Sequence, residues 1–130
     1  MKNLSGFPVV CSRGVGEVVA ALDTDLGAAS ARFFRVLGDP TRLAVLELLL
    51  ERPRTVSELV DALGVSQSRV SNHMACLRWC RFVESEREGR HVTYRVADRR
   101  VRRVLELGRH LAEQHCEHLA TCGRIGPEWV

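Results

Sequence analysis

Cys76 and Cys80 stand four residues apart in the run Ser71-Asn72-His73-Met74-Ala75-Cys76-Leu77-Arg78-Trp79-Cys80. On a helix this spacing puts both thiols on one face with Cβ atoms ~5 to 6 Å apart. Two thiolates bonded to one ion at ~2.3 Å each lie about 4 Å apart, so the pair can chelate. An intrahelical disulfide fits less well, because its Cβ atoms must approach to ~3.8 Å. Sulfur ligands select soft or borderline ions such as mercury, cadmium, lead, copper(I) or zinc over magnesium and calcium. Two other roles stay open for the pair: small buried hydrophobes, or thiols that switch by oxidation.

A large ion held by two thiolates calls for a third ligand. Cys122 and Cys116, near the end of the last helix, and Cys11, near the start of the chain, are the candidates. Each could come from the same subunit or from a second one. His73 shares the helical face of Cys76 and Cys80 and has two readings, a DNA-backbone or packing contact and a ligand. His110, His115 and His118 also lie near Cys116 and Cys122, but late helical positions suit histidine for reasons of the helix dipole alone.

The elements that must position these groups follow from periodicity and punctuation. Apolar residues at helical spacing make a first helix from Leu26 to Leu37, ended by Gly38. Asp39 caps a second helix with Pro40 at its first position, Leu43, Leu46, Leu49 and Leu50 facing the core, and Pro53 as its stop. Thr55 or Ser57 caps a third with the stripe Val56, Leu59, Val60 and Leu63, closed by Gly64. Ser66 caps a fourth, through Val70, Met74 and Leu77 to Cys80. Two short helices joined by a glycine-containing turn form a helix-turn-helix.

Beyond Cys80 the period changes from 3.6 to 2. Phe82 to Arg87 and His91 to Val96 are strand-like, with Glu88-Gly89-Arg90 as the hairpin tip, which makes a wing. A single long helix is expected from Asp98 to about Ala120. Its apolar face, Val101, Val104, Leu105, Leu107, Gly108, Leu111 and Ala112, is broader than so small a domain can cover, so a second copy of the chain is expected to pack against it. The fold class is therefore mainly α with a small β-hairpin, a winged helix-turn-helix that dimerises through terminal helices. Its parts are an N-terminal arm over 1–25 with room for a short helix from Val15 to Leu22, a DNA-binding and dimerisation domain over 26–120, and a tail over 121–130.

In such a unit the second helix enters the major groove N-terminus first. Here its start offers Ser66, Gln67, Ser68, Arg69, Ser71, Asn72 and His73. Gln and Asn match adenine edges, Arg matches guanine, and Ser reaches bases or phosphates. Arg87, Arg90 and Arg95 on the wing are placed to neutralise phosphates. Charge agrees: the 130 residues carry a net +3, yet the stretch from Arg69 to Arg103 holds ten arginines against four acids. A basic segment on an otherwise acidic chain is the footprint of a nucleic-acid surface.

The longest apolar run, Leu43 to Leu50, is interrupted by Glu47 and falls far short of the ~18 to 20 residues that cross a bilayer. The first eleven residues have no apolar stretch long enough for the core of a signal peptide, so a cytoplasmic protein with its five cysteines reduced is expected. No nucleophile-base pair or glycine-rich phosphate loop is visible. Enzymatic activity and an organic cofactor are not expected.

Taken in order, Leu37-Gly38-Asp39-Pro40-Thr41-Arg42, Val70-Ser71-Asn72-His73-Met74 and the wing from Glu88-Gly89-Arg90 to Tyr94 resemble the ArsR/SmtB family of metal-sensing repressors over about Arg32 to Ala120. The resemblance implies a homodimeric repressor that leaves operator DNA when mercury, cadmium or lead binds Cys76 and Cys80. The alternative is the same repressor switched by thiol oxidation. It implies Cys122 as the ligand nearest the C-terminus, with Cys116 still possible. Other ligand sets of the family are missing here. Glu58-Leu59-Val60-Asp61 replaces a Cys-Val-Cys start, and Arg100, Leu111 and Gln114 occupy positions where a zinc-type last helix wants ligands beside Asp98.

Overall fold

Asp39 and Pro40 start the helix to which most of the other elements are tied. In the computed structural model, which describes residues 25–121, Asp39 is extended at φ −89° and its carboxylate accepts the Arg42 N–H at 2.9 Å. Pro40 follows at a position whose missing N–H would have had no partner inside the helix. The chain divides into two compact units, 1–34 and 35–130. Its elements are α1 (Asp25–Leu37), α2 (Pro40–Glu51), β1 (Arg54–Thr55), α3 (Val56–Leu63), α4 (Gln67–Trp79), β2 (Val83–Glu88), β3 (His91–Val96), α5 (Arg100–Gln114) and α6 (Cys116–Thr121). The expected arm before Asp25, the short helix over Val15 to Leu22, the tail after Thr121, and Cys11 and Cys122 lie outside the described residues.

The core of the second unit is made by Val45, Leu46 and Leu49 of α2, Leu59 of α3, Val70, Met74 and Leu77 of α4, Phe82, Val83, and Val101 and Leu105 of α5. The expected inward set of α2 needs correction. Leu43 is exposed and Leu50 half-buried, while Val45 is fully buried. Leu43 to Leu50 is apolar on nearly every side, so spacing alone does not select its inner face.

Thr55 is the cap of α3, in reciprocal form. Glu58 N–H donates to its Oγ1 at 3.2 Å and its own N–H donates to the Glu58 carboxylate at 3.3 Å, closing a capping box. The same residue pairs with Thr93, so β1 joins the wing in a three-stranded antiparallel sheet of order β1-β3-β2. Two residues are too few to show a strand period, and β1 had no signal in the sequence. Gly64, at φ 67°, turns the chain out of α3, and Ser66 Oγ accepts the Arg69 N–H to open α4.

The other end of α4 is closed by a non-glycine residue in the left-handed region. Arg81 has φ 62°, its N–H donates to the Arg78 carbonyl at 3.1 Å, and the Phe82 N–H donates to the Leu77 carbonyl at 2.9 Å. These two bonds, with Phe82 and Leu77 both buried, are a Schellman ending. Cys80 is thereby the residue that caps the helix. An L side chain in this conformation costs ~1 to 2 kcal/mol, partly offset because glycine loses more backbone entropy on folding. Arg81→Gly is expected to raise the denaturant midpoint by up to about 1 kcal/mol of stability with an unchanged denaturant slope.

The wing runs in register from Val83 opposite Val96 to Glu88 opposite His91. Its tip is therefore the two residues Gly89 and Arg90, one fewer than expected. Gly89, at φ 59°, supplies the left-handed step that such a short turn requires.

The expected single helix from Asp98 to Ala120 is not formed. α5 ends at Gln114, and His115 leaves helical geometry at φ −124°, its N–H reaching back to the Ala112 carbonyl before α6 begins. No glycine or proline marks the break, so periodicity ran through it. Asp98 still acts at the start, accepting the Arg100 N–H at 2.8 Å, although Arg99 is the capping residue by backbone position. α5 is tied to α2 by Arg102, which donates to the Leu50 carbonyl at 2.7 Å, and by an ion pair between Arg109 and Glu47. Among the described residues no helix is long and apolar enough to cross a membrane.

Candidate nucleic-acid interface and thiol site

At 100° per residue, α4 sorts into strips. Val70, Met74 and Leu77 form the buried one. Opposite it lie Ser68, Asn72, Ala75 and Trp79, all exposed, with Ser71 and Arg78 on one shoulder. Arg69, His73, Cys76 and Cys80 run along the other shoulder. One short helix thus presents its polar outer strip to solvent and its thiols on a shoulder where Cys76 is half-buried and Cys80 exposed.

The expected contact residues are placed unequally. Ser66, Gln67, Ser68, Arg69, Ser71 and Asn72 are exposed at the first two turns of α4, and His73 is half-buried. On the wing, Arg90 is exposed at the tip. Arg87 donates to the Gly89 carbonyl at 3.2 Å, so it braces the turn. Arg95 is held by Glu84 at 2.7 Å and lies 4.0 Å from Glu86, which offsets its charge. Among the described arginines without an ion-pair partner, Arg69, Arg78 and Arg81 lie on or just after α4 and Arg90 at the wing tip, so their charge is free on this surface.

Arg78, Trp79 and Arg81 were missed as surface features. They line an open cleft between the end of α4 and the base of the wing, with Val83 and Asp98 on its far side. Trp79 is 88% exposed. The signal was available, because Ser68, Asn72, Ala75 and Trp79 follow one helical line that the reading ended after two turns.

Cys76 is half-buried and Cys80 exposed, and neither forms a disulfide. Burial pushes the Cys80 thiol up, and Cys76, as a nearby charge and a hydrogen-bond partner, pushes it further; Arg42 opposes both. The two thiols are therefore close enough to interact, and the Arg42 charge is felt at Cys80. Burial also works to raise the Asp39 carboxyl, but the Arg42 N–H, the Arg42 charge and the charge of His73 outweigh it and hold Asp39 below its ordinary value. A pair of adjacent, unbridged thiols with one reaching solvent fits a soft ion as a partial site.

The rest of such a site is not assembled within one described chain. Cys116 is exposed in α6, as are His110, His115 and His118. Among the described residues no group of three or more metal-ligating side chains converges. Asp98 is taken by Arg100, whose guanidinium clasps its two oxygens at 2.7 to 3.1 Å and holds the carboxyl down at about 2.

Comparison with known proteins agrees with this arrangement. The family model for bacterial regulatory proteins of the arsR family matches residues 39–85, from the cap of α2 into β2. A probable mercury resistance operon repressor of Streptomyces lividans is 44% identical over 99 residues, covering 76% of this chain and 79% of the relative. The solution structure of the homodimeric winged helix-turn-helix DNA-binding domain of Mb0332 from Mycobacterium bovis superposes with a TM-score of 0.65 at 28% identity, covering 82% of this chain and 93% of that one. The NMR structure of the cadmium metal-sensor CMTR from Mycobacterium tuberculosis gives a TM-score of 0.52 at 43% identity, over 58% of this chain and 79% of that one. With its helix-turn-helix, its wing and these matches, the chain belongs to the ArsR family of bacterial regulatory proteins.

Proposed function

We propose that this protein is a cytoplasmic, homodimeric repressor that releases operator DNA when mercury, cadmium or lead binds Cys76 and Cys80 together with a third thiolate. The observation that carries the reading is the adjacent thiol pair on α4, the helix whose outer strip is shaped to read DNA. Cys122 is the preferred third ligand and Cys116 the next, in either case from the same or the partner subunit. Similarity to a mercury operon repressor and to a cadmium sensor supports a soft ion without choosing one.

Gln67, Ser68, Arg69, Ser71 and Asn72 read base edges and adjacent phosphates, with Ser66, the cap of the helix, and His73 as further contacts to the DNA backbone. Arg90 reaches the backbone from the wing, with Arg87 and Arg95 in secondary positions. Residues 26–120 form the working domain. Leu107 and Leu111 of α5 and Leu119 of α6 are half-exposed or more in the single chain, and a second copy is the partner that removes them from water.

Binding of a selected operator duplex, followed by fluorescence anisotropy, tests the reading. Mercury, cadmium or lead is expected to weaken binding roughly 5- to 150-fold, the usual range of allosteric coupling. Arg90→Ala is expected to lower the slope of log affinity against log salt by about 1 per subunit, and Arg95→Ala by clearly less. Unchanged affinity with all three metals sinks the proposal, and release by peroxide instead points to an oxidation switch.

A further inference from the structure

Arg81 holds a left-handed backbone conformation that glycine adopts at lower cost. Strained residues of this kind cluster at functional sites, where the side chain has a use that outweighs the strain. The turn that Arg81 makes is closed by its N–H on the Arg78 carbonyl, so both arginines stem from one fixed unit, with Trp79 between them in the chain. All three are exposed and line the cleft between the end of α4 and the base of the wing. The acids on that cleft are already neutralised, Glu84 by Arg95 at 2.7 Å and Asp98 by Arg100 at 2.7 Å. Arg78 and Arg81 have no ion-pair partner among the described residues, so theirs is the unbalanced charge of the cleft.

We propose that Arg78 and Arg81, with the indole of Trp79 beside them, grip the sugar-phosphate strand that runs between α4 and the wing, extending the operator contact past the first two turns of α4. The proposal rests on the operator-binding part of the reading above and is independent of the metal. A helix of 13 residues is ~20 Å long, whereas the major groove is only ~12 Å wide and ~8.5 Å deep. A helix that enters N-terminus first therefore emerges past the groove edge before its last turn. With α4 in the groove and the wing tip on the backbone beside it, one strand of the duplex has to pass between helix and wing, over this cleft. Ser68, Asn72, Ala75 and Trp79 follow one exposed line along α4, so the cleft continues the reading strip. Guanidinium forks match phosphate oxygens, and an exposed indole offers flat apolar area to the deoxyribose edge. Such contacts add affinity and fix register without reading sequence.

Arg78→Gln, Arg81→Gly and the double variant test this in the full chain, without metal, by fluorescence anisotropy of an operator duplex across a salt series. Each single change is expected to lower the slope of log affinity against log salt by about 1 per subunit, and the double variant by about 2. Arg81→Gly also removes the strain, so its denaturant midpoint should rise while its duplex affinity falls, a combination that a merely structural arginine would not give. Trp79→Ala, which removes area but no charge, is expected to weaken binding about fivefold at an unchanged slope. A wild-type slope in the double variant overturns the role of the cleft. Arg90→Ala, still lowering the slope, would then show that the operator reading stands. If Arg78→Gln does not fold, as judged by thermal melting, the slope of Arg81→Gly decides alone. Wild-type binding that does not respond to salt overturns the operator reading and the cleft with it.

Discussion

With serine at both Cys76 and Cys80, operator DNA should remain bound when mercury, cadmium or lead is added. The thiolate-to-metal absorbance should fall to what isolated thiols give. The wild-type weakening of roughly 5- to 150-fold would be lost whole. Serine is nearly isosteric with cysteine, and Cys80 is exposed while Cys76 is half-buried, so the double variant should fold and bind the duplex like the parent. The thiols must lose protons to become ligands. Cys80 is held above its ordinary value, first by burial and then by Cys76, so its thiol is protonated near neutrality. Ligation then displaces the Cys80 proton, and this thiol should make apparent metal affinity rise with pH by up to about tenfold per unit until it ionises unaided. A double variant that still releases DNA on adding metal would contradict the assignment of the pair.

Leu77→Ala is expected to cost ~2 to 5 kcal/mol of folding stability, as deletion of a fully buried leucine does. Leu77 has no exposed surface, lies beside Val70 and Met74 on the inner strip of α4, and lends its carbonyl to the Phe82 N–H in the turn that ends the helix. Typical domains hold only 5 to 15 kcal/mol in total, so much of that margin would go. Urea unfolding would show it as a lower midpoint. Operator affinity should then fall with the folded fraction, and metal affinity with it, since the thiols flank Leu77 on the same helix. A loss below ~1 kcal/mol would mean that α4 is held mainly by something other than its inner strip.

The helix-turn-helix was legible because each boundary has local chemistry. Asp39, Thr55, Gly64 and Ser66 act where the sequence places them, and Val70, Met74 and Leu77 are buried as their spacing requires. Three things were not legible, each for its own reason. Leu43 and Val45 exchange roles because an all-apolar run has no preferred face. The interruption at His115 carries no breaker residue. β1 exists only by pairing with β3, a contact between residues about forty positions apart. At the site, the thiol pair was evident from i, i+4 spacing. The influence of the Arg42 charge on Cys80 was not, because nothing local in the sequence brings α2 to α4. On the wing, formal charge does not show that Glu84 and Glu86 hold Arg95.

Trp79 is nearly free of contacts on the outer strip of α4, and the next residue in the chain is Cys80. An indole in water emits with high sensitivity to its immediate neighbours, and a heavy ion on an adjacent sulfur quenches such emission through spin-orbit coupling. The end of the reading helix is thus an optical probe supplied by the protein itself. With Trp129 replaced by phenylalanine so that one indole remains, its brightness is expected to report ion arrival at Cys80, and its colour duplex binding, which covers the strip on which the indole lies.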